Sequence, residues 1–188
     1  MKRLAVFASG SGTNFEAIAV ACRDGVLDAE VSLLVCDHPQ AKVMDRAARF
    51  GVKTFAFTPG RYACKADYEK EIVELLDSMS IDLVCLAGYM RIVGPVLLGS
   101  YAGRIINIHP ALLPSFKGAH AIRDEFEYGV KVFGVTIHYV DETLDGGRII
   151  AQRAFEYYGD DIDEVEARTH EIEHGLYVET IGRLLSAK

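Results

Sequence analysis

Short apolar runs alternate with longer amphipathic stretches from the first residues to His109. Strands that are buried on both faces of a parallel sheet read as nearly continuous apolar runs, and crossover helices separate them in the sequence. The predicted strands are RLAVFAS, AEVSLLVCD, VKTFAF, IDLVCLAG and GRIINIH, and the predicted helices are NFEAIAVACRDG, AKVMDRAARFG and YEKEIVELLDSMS. This order predicts a doubly wound sheet with helices on both faces.

The pattern changes in the C-terminal part of the chain. VFGVTIHYV and GGRIIAQRAFE alternate in polarity and are joined by DETLDGG, with no helix between them, which predicts an antiparallel extension. A final helix is predicted from about Asp161 to Leu185, with a break near Gly175 as an open alternative. The expected fold is therefore α/β, with a doubly wound, mostly parallel sheet, a Rossmann-like N-terminal half and an antiparallel C-terminal extension.

Composition limits the classes of function. The 188 residues suit one domain, and we expect residues 1–188 to form it. The net charge of -7 argues against broad nucleic-acid binding but allows a small basic pocket for an anion. No apolar run approaches the roughly 20 residues of a membrane span.

The N-terminus and the cysteines indicate a cytoplasmic protein. The apolar run in MKRLAVFASGSG is shorter than that of a signal peptide and ends in a glycine turn, so we interpret it as the first strand. The four cysteines, which are Cys22, Cys36, Cys64 and Cys85, form no CxxC pair. Free buried thiols are favoured over a disulfide or a metal site.

A glycine-rich loop, FASGSGTNFEAI, follows the first strand and opens the first helix. Gly10 and Gly12 allow a tight turn, and the amides of Gly12, Thr13 and Asn14 lie at a helix N-terminus, where free N–H groups favour an anion. The loop matches neither GxGxxG nor a P-loop. A phosphate site is favoured, and a simple glycine turn with Thr13 or Asn14 as N-cap is the alternative.

Asn107 and His109 end the predicted strand GRIINIH and share its parity, so both side chains lie on the same side. Pro110 and Pro114 stiffen the segment that follows. An amide and an imidazole can both donate to a developing oxyanion, and an imidazole can also shuttle a proton. The alternative, which the pair alone leaves equally open, is that both side chains satisfy loop backbone.

Asp145 is the candidate third member of the site. Gly146 and Gly147 allow a close-packed turn to carry an acid into a cleft, where it would favour the charged form of His109, although a simple turn aspartate is the alternative. His138 also lies on a strand, and a packed histidine is favoured there over a catalytic one. Cys/His clusters, acidic metal cages and GxSxG patterns are not visible in the sequence, so Asn, His and Asp fit direct attack of an amine on a carbonyl.

Five segments together carry a resemblance to a known family. They span nearly the whole chain and resemble segments of the folate-dependent phosphoribosylglycinamide formyltransferases. The five segments are VFASGSGTNFEAI, LAGYMRIV, INIHPALLPSFKGAHAI, GVTIHYVDETLDGGRIIAQ and EIEHGLY. Related motifs occur in methionyl-tRNA formyltransferase and formyltetrahydrofolate hydrolase. The loop GSGTN favours the ribonucleotide enzymes. The sequence also lacks the basic C-terminal domain expected of the tRNA enzyme and the regulatory N-terminal domain expected of the hydrolase.

The resemblance implies a role for each matching residue. It implies that Gly12, Thr13 and Asn14 hold the substrate phosphate and that Glu173 contacts the ribose. The implied folate site comprises Lys65 near the glutamate tail, the pocket wall Met90, Arg91, Ile92 and Val93, the residue Asn107, and the loop residues Val140, Asp141 and Asp145, with Leu86 and Leu98 extending the wall. His120 is left unassigned, and lysine at position 65 replaces the arginine that is frequent in the family.

The implied activity is formyl transfer from 10-formyltetrahydrofolate to the amine of 5'-phosphoribosylglycinamide, in de novo purine biosynthesis. Asn107 and protonated His109 would stabilise the oxyanion, and Asp145 would assist proton transfer, without a metal. We expect the protein to bind small-molecule substrates, to bind neither nucleic acid nor a membrane, and to be a monomer or a homodimer. The rivals are another enzyme of the same formyltransferase fold, such as a hydrolase or one acting on a sugar nucleotide, and a non-catalytic folate- or nucleotide-binding module.

Overall fold

A computed structural model describes residues 1–186, so that Ala187 and Lys188 of the predicted domain lie outside the described residues. Strands and helices alternate through most of this range. In chain order the elements are β1 (Lys2–Ala8), α1 (Thr13–Arg23), β2 (Ala29–Cys36), α2 (Lys42–Phe50), β3 (Lys53–Ala56), a short 3-10 helix (Pro59–Arg61), α3 (Lys65–Ser78), β4 (Leu83–Leu86), α4 (Pro95–Ser100), β5 (Ile105–His109), α5 (Ala121–Tyr128), β6 (Val132–Tyr139), β7 (Ile149–Glu156) and α6 (Ile162–Ser186).

The strands form one sheet in the order β3-β2-β1-β4-β5-β6-β7. β1 to β5 are parallel, and β6 and β7 are each antiparallel to the preceding strand. The predicted fold class is therefore confirmed. The chain moves outward from β1 through β2 and β3 and then crosses to β4 on the other side of β1. This reversal leaves a crevice at the carboxyl ends of β1 and β4, which is where ligands of such sheets bind.

The two faces of the sheet are buried by different helices. In β1, Leu4, Val6 and Ala8 pack in a cluster that includes residues of α1, α2 and α6. Ala5 and Phe7 point the other way, into a cluster built with α3 and α4. A strand between two helical layers needs apolar residues at successive positions, which accounts for the unbroken apolar runs in the sequence.

Helix α6 is continuous over its 25 residues, so the alternative of a break near Gly175 is wrong. Glycine costs a helix about 1 kcal/mol relative to alanine. The residues around it offset that cost, because Leu176 and Tyr177 are buried in the core beside the sheet. The buried Tyr177 hydroxyl also donates to the carbonyl of Leu86, 2.9 Å away at the end of β4.

Helices α4 and α5 are not among the helices predicted from the sequence. Helix α4 has only six residues, too short for a periodic pattern, and its N-terminus is held by a side chain from another helix. The buried Glu69 carboxylate of α3 accepts from the backbone N–H of Gly94 at 2.5 Å. Among the described residues, no helix is long and apolar enough to cross a membrane.

Candidate active site

A cavity of about 390 Å³ opens at the carboxyl ends of the parallel strands. Its wall is formed by the loops that follow β1, β4 and β5, by the turn between β6 and β7, and by one face of α6. Every polar cluster that the sequence places after a strand therefore reaches the same space.

The glycine loop enters the cavity at the N-terminus of α1. Gly12 is the N-cap residue, with a φ of 75° in the left-handed region, and no side chain caps the helix. The alternative in which Thr13 or Asn14 is the N-cap is therefore wrong. The Val43 N–H donates to the Gly10 carbonyl at 3.1 Å, and a β-carbon added at Gly12 would lie 2.6 Å from the β-carbon of Val43. Contact with α2 thus requires glycine at position 12.

Polar side chains from α1 and α6 meet beside this loop. The buried Asn14 amide donates to Glu173 at 3.3 Å, and Nδ1 of His170 donates to the same carboxylate oxygen at 2.8 Å. The hydrogen bond to Glu173 raises the pKa of His170 despite partial burial. Oδ1 of Asn14 is buried and has no partner among the described residues. The cluster therefore offers an imidazole that protonates more readily than usual, a carboxylate and a free acceptor to a ligand.

His170 was not identified from the sequence. The signal was present, because His170 and Glu173 are three residues apart in HEIEHG and share one face of a helix. Sequence alone did not show that this face turns toward the glycine loop.

Asn107 and His109 lie at the end of β5, opposite His138 and Thr136 of β6. Nε2 of His109 lies 2.8 Å from the carbonyl oxygen of Phe116. A carbonyl only accepts, so Nε2 carries a hydrogen, and Nδ1 is the ring nitrogen that faces Asp145. The loop after β5 thus fixes the orientation of the imidazole.

Asp145 approaches from the turn between β6 and β7. Its Oδ2 accepts from the Gly118 N–H at 2.9 Å and lies 3.7 Å from Nδ1 of His109. Its Oδ1 lies 3.8 Å from Nε2 of His138. Both distances to the imidazoles exceed normal hydrogen-bond lengths, so Asp145 lies beside both rings without a direct hydrogen bond to either one. A β-carbon at Gly147 would overlap the Tyr139 carbonyl, which explains the glycine after Asp145–Gly146.

His138 lies within the same cluster. It is buried, and its Nε2 is 3.1 Å from Nδ2 of Asn107. Burial lowers the pKa of His138 below its ordinary value. The sequence interpretation preferred a packed histidine, and the residue is indeed buried, but it also contacts the amide of Asn107.

The segment Met90–Val93 forms one rim of the cavity. Met90 is 66% exposed, whereas its backbone N–H donates to the Ser9 hydroxyl at 2.9 Å. Nε of Arg91 donates to the buried carboxylate of Asp37 at 2.8 Å. Burial opposes ionisation of Asp37, but hydrogen bonds from Ser9, Arg91 and His38 outweigh it and lower its pKa. Asp37, just after β2, does not line the cavity but holds Arg91, which does, and sequence reasoning missed this contact.

Helix α3 holds the other half of this rim. Nζ of Lys65 donates to the carbonyl of Ile92 at 2.8 Å, one turn before the Glu69–Gly94 contact. Ile92 is 63% exposed and Val93 is buried. Lys65 itself lies outside the cavity lining, so its contact with a folate tail stays a prediction.

The remaining predicted residues fall in different places. Leu86, Val140 and Asp141 line the cavity, and Oδ1 of Asp141 accepts from the Thr143 N–H at 2.8 Å. Leu98, in α4, packs against the core and lies outside the cavity lining, so its place in the folate wall stays a prediction. His120 is the exposed N-cap residue of α5. Within residues 1–186, no group of three or more His, Cys, Asp or Glu side chains could hold a metal ion.

The model of the formyl transferase family matches residues 2–181. The chain belongs to this family. Within it, the chain is 50% identical over 186 residues to a phosphoribosylglycinamide formyltransferase from Bacillus subtilis (strain 168), which covers 98% of this chain and 95% of that protein. It is also 35% identical to the trifunctional purine biosynthetic protein adenosine-3 of Drosophila melanogaster, over 98% of this chain and 14% of that protein.

Solved structures of the family have the same fold. The crystal structure of glycinamide ribonucleotide transformylase 1 from Geobacillus kaustophilus aligns with a TM-score of 0.96 at 53% identity, over 99% of this chain and 100% of that one. A formyl transferase of this family catalyses group transfer, so the chain is an enzyme of the transferase class.

Proposed function

We propose that this formyltransferase moves a formyl group from 10-formyltetrahydrofolate to the amine of 5'-phosphoribosylglycinamide. The products are N-formyl phosphoribosylglycinamide and tetrahydrofolate, and the step belongs to de novo purine (IMP) biosynthesis. The names of the Bacillus and Drosophila relatives support this assignment. The observation that carries it is the convergence of Asn107, His109 and Asp145 on a cavity that also contains a free helix N-terminus.

The ribonucleotide binds at the glycine loop in this proposal. The backbone amides of Gly12, Thr13 and Asn14 donate to the phosphate, because the first N–H groups of α1 have no partner within the helix. Glu173 accepts from the ribose hydroxyls. His170, which donates to Glu173 at 2.8 Å, adds positive charge near the phosphate.

The opposite side of the cavity suits the formyl folate. A pterin ring is flat, with hydrogen-bonding groups along its edge, and the Met90–Val93 rim presents backbone groups beside apolar side chains. Leu86 and Val140 add apolar surface at the same cavity. The donor's formyl group would then lie toward Asn107 and His109, between the two binding regions.

Direct transfer accounts for the polar side chains. The ribonucleotide amine attacks the formyl carbon, and the negative charge that develops on the formyl oxygen is stabilised by N–H groups of Asn107 and protonated His109. When the carbonyl re-forms, the bond between the formyl carbon and N10 of the folate breaks. The attacking amine loses a proton and N10 gains one, and Asp145 assists this movement through a water molecule.

The neighbouring backbone keeps this arrangement in place. The Phe116 carbonyl holds Nε2 of His109, so that Nδ1 is the ring nitrogen that points into the site. The Gly118 N–H holds one oxygen of Asp145. A preorganised donor needs no rearrangement as charge develops, which is the source of most electrostatic stabilisation in enzymes.

The test is a formyl-transfer assay with purified protein, 10-formyltetrahydrofolate and glycinamide ribonucleotide. We expect stoichiometric formation of formylated ribonucleotide and tetrahydrofolate. His109→Ala should lower kcat by on the order of 10²–10³, the usual cost of one oxyanion donor, with ribonucleotide affinity nearly unchanged. The exposed His120→Ala is the matched control.

Three outcomes would contradict the proposal. Release of formate without ribonucleotide would indicate a hydrolase, and transfer only to another amine would indicate a different substrate. Binding of folate without turnover would indicate a non-catalytic module. Normal turnover in His109→Ala would leave the substrates in place but refute the mechanism.

A further inference from the structure

His138 makes two contacts that together define its hydrogen positions. Its Nδ1 lies 2.8 Å from the Tyr139 carbonyl oxygen. Because a carbonyl only accepts, Nδ1 carries the hydrogen. In the neutral ring Nε2 then has a free lone pair and can only accept.

The amide of Asn107 is the group that meets this lone pair. Its Nδ2 lies 3.1 Å from Nε2 of His138, in the register where the two residues face each other across β5 and β6. The amide nitrogen must therefore point toward His138. This contact uses one N–H of Asn107 and fixes the direction of the second N–H and of the carbonyl oxygen.

We propose that His138 is a positioning residue for formyl transfer, which acts as a neutral acceptor that holds the Asn107 amide with its second N–H available to the formyl oxygen. This inference rests on the proposed function. If His138 is protonated, Nε2 becomes a donor and Asn107 must turn its carbonyl oxygen toward it. The N–H that would face the oxyanion is then lost.

Several charged groups face the His138 ring. Asp145, 3.8 Å from Nε2, and Asp141 on the same turn favour the cation, whereas His109 on β5 disfavours it. Burial is the largest influence, and it lowers the pKa of His138. The lowered pKa favours the neutral ring, so His138 becomes charged only at a lower pH than an ordinary histidine.

Two variants separate the acceptor role from packing. In His138→Gln the side-chain oxygen can accept from Asn107 but does not titrate, and in His138→Leu the acceptor is lost. We expect His138→Leu to lower kcat by about 10²-fold, near the cost of one oxyanion donor, with little change in either KM. His138→Gln should recover at least about tenfold of this loss and should lack the acid-side fall in kcat that His138 causes.

A double-mutant cycle with Asn107 tests the same inference through energetic coupling. If His138 acts through Asn107, His138→Leu should cost almost nothing in an Asn107→Ala background. Additive losses in the cycle would overturn the inference, as would wild-type kcat in His138→Leu or an unchanged acid limb in His138→Gln. These kinetic variants also have to melt cooperatively near the wild-type temperature.

The wild-type protein provides a measurement that does not depend on folding of the variants. Long-range ¹H–¹⁵N correlation spectra distinguish the two neutral tautomers of a histidine ring. We expect hydrogen on Nδ1 and none on Nε2 of His138 at neutral pH. The opposite tautomer, or a charged ring at that pH, would overturn the inference without any mutation. Loss of formyl transfer to the ribonucleotide as such would instead contradict the proposed function.

Discussion

Replacing Gly12 with alanine tests the construction of the phosphate loop. Gly12 has a φ of 75°, and a β-carbon there would lie 2.6 Å from the β-carbon of Val43. Left-handed backbone costs an L-residue about 1–2 kcal/mol. Overpacking of a well-filled site costs about 1–3 kcal/mol more. The native loop conformation should therefore be strained by about 2–5 kcal/mol in Gly12→Ala.

Gly25→Ala provides a matched control for the backbone contribution. Gly25 has a nearly equal φ of 73°, but a β-carbon there meets nothing within 4 Å, and the residue lies away from the cavity. We expect Gly12→Ala to lose about 1–3 kcal/mol more unfolding free energy than Gly25→Ala, as measured by urea denaturation. The difference isolates the overlap with α2.

The same substitution should separate binding of the two substrates. If the loop moves away from α2 to relieve the overlap, the amides at the start of α1 no longer converge on the phosphate. Loss of one hydrogen bond to a charged group costs about 1.5–3 kcal/mol, so ribonucleotide Kd should rise by about tenfold to a hundredfold. Folate Kd should change by less than about threefold, since distant sites are nearly independent.

Calorimetric titration with each ligand gives both constants. The reasoning is refuted if Gly12→Ala and Gly25→Ala are equally stable and ribonucleotide Kd stays at the wild-type value. Equal weakening of both ligands would also contradict it, because that result indicates general damage rather than a local change at the phosphate loop.

Two further predictions concern charge. Asp145→Asn should keep the fold, because asparagine tolerates the φ of 45° at this position. It should lower kcat by on the order of 10²–10⁴ through loss of proton transfer. Unchanged kcat, or an equal loss in the exposed control Glu142→Gln, would contradict this prediction. Glu173 raises the pKa of His170, so the imidazolium should attract the phosphate fully at low pH and progressively less as pH rises through that raised pKa. Ribonucleotide KM should therefore increase with pH more steeply in wild type and in the control His120→Gln than in His170→Gln. Parallel pH profiles of KM in all three proteins would show that His170 does not interact with the phosphate.

The order of elements could be predicted from local sequence because the responsible forces are local or periodic. Burial on both faces makes β4 and most of β1, β2 and β5 apolar, whereas the edge strand β3 is largely exposed. The glycine loop and the pair Asn107 and His109 could be recognised for a similar reason. They directly follow or end predicted strands, and side chains two residues apart on a strand share one side.

The short helices could not be predicted from the sequence because tertiary contacts stabilise them. Helix α4 has six residues and depends on Glu69, which lies 25 positions before Gly94 in the chain. A helix this short is unstable in isolation, so its sequence carries little signal. The continuity of α6 through Gly175 was likewise decided by packing rather than by local preference.

What the sequence alone determined is the alternation of strands and helices, and with it the edge of the sheet at which polar residues collect. The parity of Asn107 and His109 is also a local property, whereas the need for glycine at position 12 comes in part from its contact with Val43 of α2. Only the tertiary structure decided which residues complete the site. Antiparallel pairing of β5 with β6 places His138 against Asn107, and packing of α6 brings Glu173 to Asn14, 159 positions away in the chain. Such pairings depend on the relative position of whole helices and strands, which is determined by the total burial of the core. The paired residues themselves carry no local signal that they will meet.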